Sequence, residues 1–288
     1  MTTPQVICFG EILWDLLPTG KVAGGAPMNV AYQLNQLGVS AGMISRIGQD
    51  ALGAEIFQFL QSKNVPTAWV QRDALHPTGI VNVELNEKGH PAYEIVENVA
   101  WDYIEAGPAL IETVKAAQAF VFGSLVARSP VSKNSLSTLL ENARLRVFDV
   151  NLRKPFFSKE LLGELLPLAQ LVKMNDDELD ILSGWFGFRG DQQAKSKQVK
   201  DYFQLQLLIV TRGEHGALAL DHSGFYTHPG YRVDVVDTIG SGDAFLAGYL
   251  SRYLQEQAPA QCLDFACRMG AFVASRRGGT PVFDLEGA

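Results

Sequence analysis

Val236-Asp237-Thr238-Ile239-Gly240-Ser241-Gly242-Asp243-Ala244-Phe245 is the stretch on which the reading of this chain turns. Apolar residues read as a strand ending (Val233, Val235, Val236), followed by a Gly-Ser-Gly turn and an apolar helical run from Ala244 to Leu254. A strand passing through a glycine turn into a helix is a building unit of α/β folds. Two glycines let successive backbone N–H groups converge, and the helix start adds its positive dipole end, so the turn suits an anion. Asp243 would repel a phosphate held there unless it takes a proton from a hydroxyl attacking that phosphate. An aspartate is ionised at neutral pH without help, since its reference pKa is roughly 3.9. The combination reads as phosphoryl transfer to an alcohol. The plainer reading is a loop in which Asp243 caps the next helix.

Working outward, short β-rich runs alternate with helical patterns, which implies a mostly parallel sheet with helices on both faces, an α/β doubly wound fold. Strands are expected at Val6–Ile12, Ala41–Ile47, Ala119–Gly123, Arg146–Val150, Leu171–Met174 and Leu207–Thr211. Helices are expected around Pro27–Leu37, Ala51–Lys63, Ala109–Ala116, Val131–Asn142, Lys159–Leu166, Asp176–Ser183 and Gln192–Phe203. Ala217–Leu220 and Gly224–His228 look like a hairpin, and helices Asp243–Gln255 and Pro259–Arg276 follow. Two further alternating runs, Ile80–Leu85 and Ala92–Val96, flank the turn sequence Asn86-Glu87-Lys88-Gly89. With the segment after Asp15 they are expected to form a small sheet outside the main one, a lid of strands at about 13–24 and 72–104 on a single domain spanning 1–288. Such a flap, hinged at Gly24-Gly25, would exclude water, which competes with the accepting hydroxyl. An edge extension or a dimer contact explains the same pattern.

Composition narrows the classes. Net charge of −7 and the lack of a dense Lys/Arg run argue against a nucleic-acid surface. No apolar run approaches the ~18 residues that cross a bilayer. Met1-Thr2-Thr3-Pro4 has no basic or apolar region of the signal-peptide kind, so a cytoplasmic location is expected. Cys8, Cys262 and Cys267 show no C-x-x-C spacing and read as reduced, buried thiols. The five histidines are scattered, which argues against a His-ligated metal. Neither G-x-x-x-x-G-K-[ST] nor a complete G-x-G-x-x-G is present.

Two signatures together resemble the ribokinase-like (PfkB-type) carbohydrate kinases. One is Gly24-Gly25-Ala26-Pro27-Met28-Asn29-Val30-Ala31 with the helix end Leu34–Leu37–Gly38; the other is Asp237–Asp243. Within that family the chain is most similar to fructokinases, through its Gly-Gly-Ala-Pro form, Tyr93-Glu94-Ile95, Asn98-Val99-Ala100-Trp101-Asp102 and Asp149-Val150-Asn151-Leu152-Arg153. The resemblance implies a kinase that uses ATP and Mg²⁺ to phosphorylate a sugar hydroxymethyl group. Fructose is the first expectation. Ribose, 2-keto-3-deoxygluconate or a nucleoside are the other acceptors, and a non-catalytic sugar or nucleotide sensor is the reading from another class.

The resemblance also assigns roles. Asp243 is the base, and Gly240, Ser241 and Gly242 form the anion hole, Ser241 standing where alanine is more frequent. Asp15, Gly25 and Asn29 contact the sugar, with a turn aspartate and a polar helix-face asparagine as the plainer readings of the two side chains. Arg153, with Asn151 beside it, approaches the substrate and phosphates, or else pairs with Asp149. Asn175 and Glu178 (Asn175-Asp176-Asp177-Glu178) organise Mg²⁺ through water, against the plainer reading of an acid-rich helix start. Thr211, Gly213 and Gly216 line the nucleotide, as do Ala271, Ser275 and Gly278, although a core helix with a glycine stop explains the last three equally well. Asp237, Ile239 and the segment near Gly278 leave a K⁺ site open, and pairing through the lid leaves a homodimer open. The segment 184–200, with Trp185, Phe186, Phe188 and Arg189, matches no motif.

Overall fold

The computed structural model describes residues 3–18, 20–85 and 91–283. Its elements in chain order are β1 (Val6–Phe9), β2 (Leu13–Leu17), β3 (Gly20–Gly24), α1 (Ala26–Gln36), β4 (Ala41–Gly48), α2 (Ala51–Ser62), β5 (Val70–Asp73), β6 (Gly79–Leu85) and β7 (Pro91–Ile95). There follow α3 (Pro108–Ala116), β8 (Ala119–Gly123), α4 (Pro130–Leu140), β9 (Leu145–Asp149), α5 (Lys159–Leu165), β10 (Leu171–Asn175), α6 (Asp176–Phe186) and α7 (Gln192–Tyr202). The chain continues through β11 (Leu207–Thr211), β12 (Ala217–Leu220), β13 (Phe225–His228), α8 (Ser241–Tyr253) and α9 (Pro259–Ala274). Among the described residues no helix is long and apolar enough to cross a membrane.

The large sheet runs β13-β12-β11-β10-β9-β8-β1-β4-β5. It is parallel from β5 to β11, with the β12–β13 hairpin added antiparallel at one edge. Its strands read as continuous apolar runs because both faces are covered. Val6 and Cys8 enter the core shared with α1, α8 and α9, while Ile7 and Phe9 enter the core on the opposite face. β8 alternates in the same way, with Ala119 and Val121 on one side and Phe120 and Phe122 on the other. Phe122 stacks on Phe148 with ring centres 4.8 Å apart. Parallel order brings the carboxyl ends of β1, β8, β9, β10 and β11 to one rim, where ligands settle in such sheets.

A second sheet of order β3-β2-β6-β7 stands apart from the large one. β2 pairs antiparallel with β3 and parallel with β6, and β6 pairs antiparallel with β7. Trp14 on β2 anchors it to α2, donating Nε1–H to the Leu52 carbonyl at 3.1 Å and meeting Phe59 edge-on. The Asn86–Gly89 turn lies outside the described residues, as do the side chains of 84–93.

Several expectations shift. β1 stops at Phe9 rather than Ile12, because the chain turns at Gly10 (φ +147°) and leaves the large sheet to found the small one. The Val233–Val236 strand ending is absent. Val235 and Val236 are 64% and 56% exposed, and the Val236 and Asp237 amides bond to the Ala274 carbonyl at the end of α9 instead of to a strand. β5 was not expected, since Val-Gln-Arg-Asp carries no apolar pattern; it forms by pairing with β4. Residues 72–73 therefore belong to the large sheet. Residues 100–103 form a turn against the body, where Arg128 grips Asp102 with two bonds of 2.7 and 2.8 Å and lies 3.9 Å over the Trp101 ring. The unassigned segment is structural: Phe186, Phe188, Tyr202 and Phe203 pack together where α6 meets α7.

Candidate active site

α8 begins at Ser241, two residues before the expected start at Asp243, so Gly240 is its cap and Asp243 sits in its first turn. Gly240 adopts φ +74°, a left-handed conformation, and a methyl there would overlap the Gly279 backbone. Only glycine fits both demands. The Ser241 amide donates to the Thr238 carbonyl at 3.2 Å, and Ala244 closes the first helical bond to Gly240. Among the described residues the Gly242 and Asp243 amides have no protein acceptor. These two N–H groups are free to receive an anion. Ser241 Oγ turns away to the Gly270 carbonyl at 2.9 Å, which is why serine is tolerated in this turn.

Asp243 does not cap its own helix. Its Oδ2 accepts Asn29 Nδ2–H at 2.8 Å, and the residue is 8% exposed. Burial, then the neighbouring Asp149, raises its pKa to about 6, opposed by Lys173, the Asn29 bond and Arg153. The expectation of an unaided, ordinary aspartate is corrected accordingly, though at neutral pH the group is still mostly ionised. Asn29 is likewise buried inside α1 rather than on a polar face, and its Oδ1 has no partner among the described residues.

α1 starts at Gly25, whose φ is +118° and where a methyl would overlap the Glu11 carbonyl oxygen. Asp15 lies within β2 and is not a turn residue; burial raises it to about 6 and Arg153 opposes the rise. Arg153 is exposed, beyond the end of β9, and its charge is felt by Glu11, Asp15 and Asp243. It does not pair with Asp149. That partner is Lys173 on β10, whose Nζ meets the two Asp149 oxygens at 3.0 and 3.1 Å. Lys173 Nζ also reaches the anion turn, 3.0 Å from where a Gly242 side chain would begin. Lys173 remains charged despite burial, because Asp149, Glu178 and Asp243 surround it.

Asn175 and Glu178 form a reciprocal cap at the start of α6: Asn175 Oδ1 accepts the Glu178 amide and Glu178 Oε2 accepts the Asn175 amide, both at 2.8 Å. Glu178 Oε1 accepts the Leu152 amide at 2.8 Å. The plainer, capping reading is thus present in full. It also leaves one lone pair on each Glu178 oxygen, a fixed oxygen donor set that suits a hydrated Mg²⁺. No cluster of three or more His, Cys, Asp or Glu residues able to hold a metal occurs among the described residues.

The positions expected to line the nucleotide fall in two regions, the end of β11 with the turn after it and the end of α9 with the loop after it. Thr211 ends β11 beside Asn175 of β10, and Gly213 opens the turn beyond it. Gly216 has a packing reason of its own, because a side chain there would run into the 228–230 backbone. Ala271 and Ser275 lie at the end of α9, where Ser275 Oγ donates to the Phe272 carbonyl. Asp237 gathers the loops: its Oδ1 accepts the Ile239 amide at 2.9 Å and its Oδ2 the Gly278 amide at 3.0 Å. Gly278 and Gly279 are thereby drawn over the Gly240 turn, and Gln33 on α1 holds the Gly279 carbonyl at 2.8 Å.

Glu11, Asp149 and Lys173 received no site role from sequence. Glu11 stands in what reads as a strand interior, and a lone acid in an apolar run (Val6-Ile7-Cys8-Phe9-Gly10-Glu11-Ile12) was the available signal. Lys173 gave the same signal inside Leu171–Met174.

Residues 10–284 match the pfkB family carbohydrate kinase model. The fructokinase of Escherichia coli is 28% identical over 95% of this chain and 94% of its own length. The probable fructokinase-6, chloroplastic, of Arabidopsis thaliana is 29% identical over 99% of this chain and 81% of its own. An uncharacterized sugar kinase from Pyrococcus horikoshii, solved in complex with ATP, superposes with a TM-score of 0.81 at 27% identity, covering 96% of this chain and 94% of that one. A Vibrio cholerae O395 fructokinase in fructose-, ADP- and calcium-bound form gives a TM-score of 0.83 at 24% identity over 97% and 96% of the two chains, a likeness of fold. The chain belongs to the pfkB family of carbohydrate kinases and is a sugar kinase, a phosphotransferase.

Proposed function

We propose that this sugar kinase is an ATP-dependent fructokinase that phosphorylates a hydroxymethyl group. The observation carrying the mechanism is the buried Asp243 carboxylate held by Asn29 beside the free Gly242 and Asp243 amides. Asp243, ionised above pH 6, takes the hydroxyl proton as the oxygen attacks the γ-phosphorus in line with the departing ADP. The two amides and Lys173 face the charge on the transferring group. Asp15, Gly25 and Asn29 hold the sugar so that one hydroxyl lies against Asp243. Arg153 spans sugar and phosphate. Thr211, Gly213 and Gly216 take one side of the nucleotide, and Ala271, Ser275 and Gly278 the other.

Asn175 and Glu178 would hold Mg²⁺ through its waters, and the ion would neutralise phosphate charge. Carbonyls of the loop that Asp237 pins, at Ile239 and toward Gly278, are the proposed K⁺ ligands. A potassium ion is bound in one solved form of a Vibrio cholerae fructokinase, which supports that reading. The small sheet is the proposed lid, and its free edges are the proposed homodimer contact, which size-exclusion chromatography would reveal.

An ATP-consumption screen across fructose, ribose, glucose, 2-keto-3-deoxygluconate and adenosine tests the acceptor. Fructose is expected to give the highest kcat/KM. A larger value for another member moves the assignment to that acceptor, and no turnover with any leaves a sensor.

A further inference from the structure

Glu11 follows β1 at the rim where the site lies, and it is 4% exposed. Its Oε1 accepts the Ala26 amide at 3.2 Å. That bond matters because α1 begins at a glycine, which has no side chain to cap the helix, and its first turn holds no acid. The carboxylate from β1 supplies the missing acceptor. One oxygen is thereby accounted for. The other, Oε2, is buried without a hydrogen-bond partner among the described residues. A carboxylate oxygen is an acceptor only, and leaving one dry and unpaired costs stability.

The surroundings say what Oε2 awaits. Glu11 sits against the Gly25–Ala26 turn, its own carbonyl under Gly25, and it feels the charges of Arg153 and Asp243. Asn29, one turn along α1, offers a second unpaired acceptor, Oδ1. We infer that Glu11 is a sugar-binding residue: Oε1 fixes the start of α1, and Oε2 accepts a hydrogen bond from a hydroxyl of the acceptor sugar. Burial pushes the carboxyl up to about 7, so near neutral pH it is shared between the acid and the carboxylate, and a hydrogen bond donated by a sugar hydroxyl would favour the accepting, ionised form. This inference rests on the pocket among Asp15, Asn29 and Asp243 being the sugar site.

Glu11→Gln separates capping from recognition. Its amide oxygen still accepts the Ala26 N–H, while an N–H₂ donor replaces Oε2. The variant is expected to melt within ~2 °C of wild type, to keep its KM for ATP, and to lose ~10- to 100-fold in kcat/KM for the sugar, chiefly through KM. Monodeoxy analogues of the sugar give a second reading that needs no second variant. The analogue lacking the Glu11-bound hydroxyl should lose a similar factor with wild type and nothing further with Glu11→Gln. Sugar kinetics unchanged by Glu11→Gln, or penalties that multiply for every analogue, would overturn the inference. Failure of wild type to phosphorylate fructose would instead overturn the fructokinase reading, and the same comparison would then run on whichever sugar wild type accepts.

Discussion

Asn29 Nδ2 donates to Asp243 Oδ2 at 2.8 Å, joining two buried side chains 214 positions apart in the chain. The bond ties α1 to α8 and sets the direction in which the carboxylate points. It also favours the ionised form, one of the influences opposing the burial that raises Asp243. Replacing Asn29 by leucine should therefore lower kcat/KM by ~10- to 100-fold and move the acid limb of its pH profile above about 6. A limb that stays in place would mean that the bond does not tune the base.

Asp243→Asn should reduce turnover by ~10³-fold or more, as expected for loss of a general base. Stability should move the other way. The folded pKa, about 6, lies above the unfolded value of roughly 3.9, so the native state binds this proton more tightly. Ionisation then costs stability as pH rises through that window, and the cost is complete above about pH 6. The asparagine variant should be more stable by on the order of 1–3 kcal/mol at pH 7.5 and nearly unchanged at pH 4. Melting curves at the two pH values check this.

Gly240 and Ser241 are adjacent but should respond differently. Gly240→Ala forces a side chain into left-handed backbone against Gly279, so a loss of ~1–3 kcal/mol and most of the activity is expected. Ser241→Ala gives up only a bond to the Gly270 carbonyl and should stay within a few-fold of wild-type kcat. Parallel kinetics and denaturant titrations distinguish them.

Lys173→Met strands Asp149 without its counter-ion and should destabilise the chain by roughly 3–5 kcal/mol. Adding Asp149→Leu should restore much of that stability, because an apolar pair often replaces a buried ion pair well. It should leave kcat low if Lys173 also faces the transferring phosphoryl group. A double variant with wild-type kcat would confine the pair to a packing role.

Much of this arrangement was legible in the chain. Apolar runs such as Ala119–Gly123 and Leu207–Thr211 announced strands buried on both faces, and the Gly-Ser-Gly turn before Asp243 announced the glycine-led start of a helix. What escaped had physical causes. Val233, Val235 and Val236 have strand-like composition, but their segment is held by the end of α9 and stays outside the sheet. Val70–Asp73 lacks a pattern because only pairing with β4 makes it a strand. Glu11 and Lys173 owe their significance to neighbours far along the chain, Ala26 for one and Asp149 and Gly242 for the other. Local reading sees a charge in an apolar run and cannot see its destination.

Parallel order in the large sheet has a practical corollary. The amino ends of β4, β8, β9 and β11 share the rim opposite the chemistry, where short connections such as Val39-Ser40, Ala117-Gln118 and Leu205-Gln206 enter the strands. No residue assigned to catalysis or binding falls in those connections. Each nonetheless holds a buried residue (Val39, Ala117 or Leu205) and hydrogen-bonded backbone, so splitting the chain there would be felt in folding before it was felt in turnover.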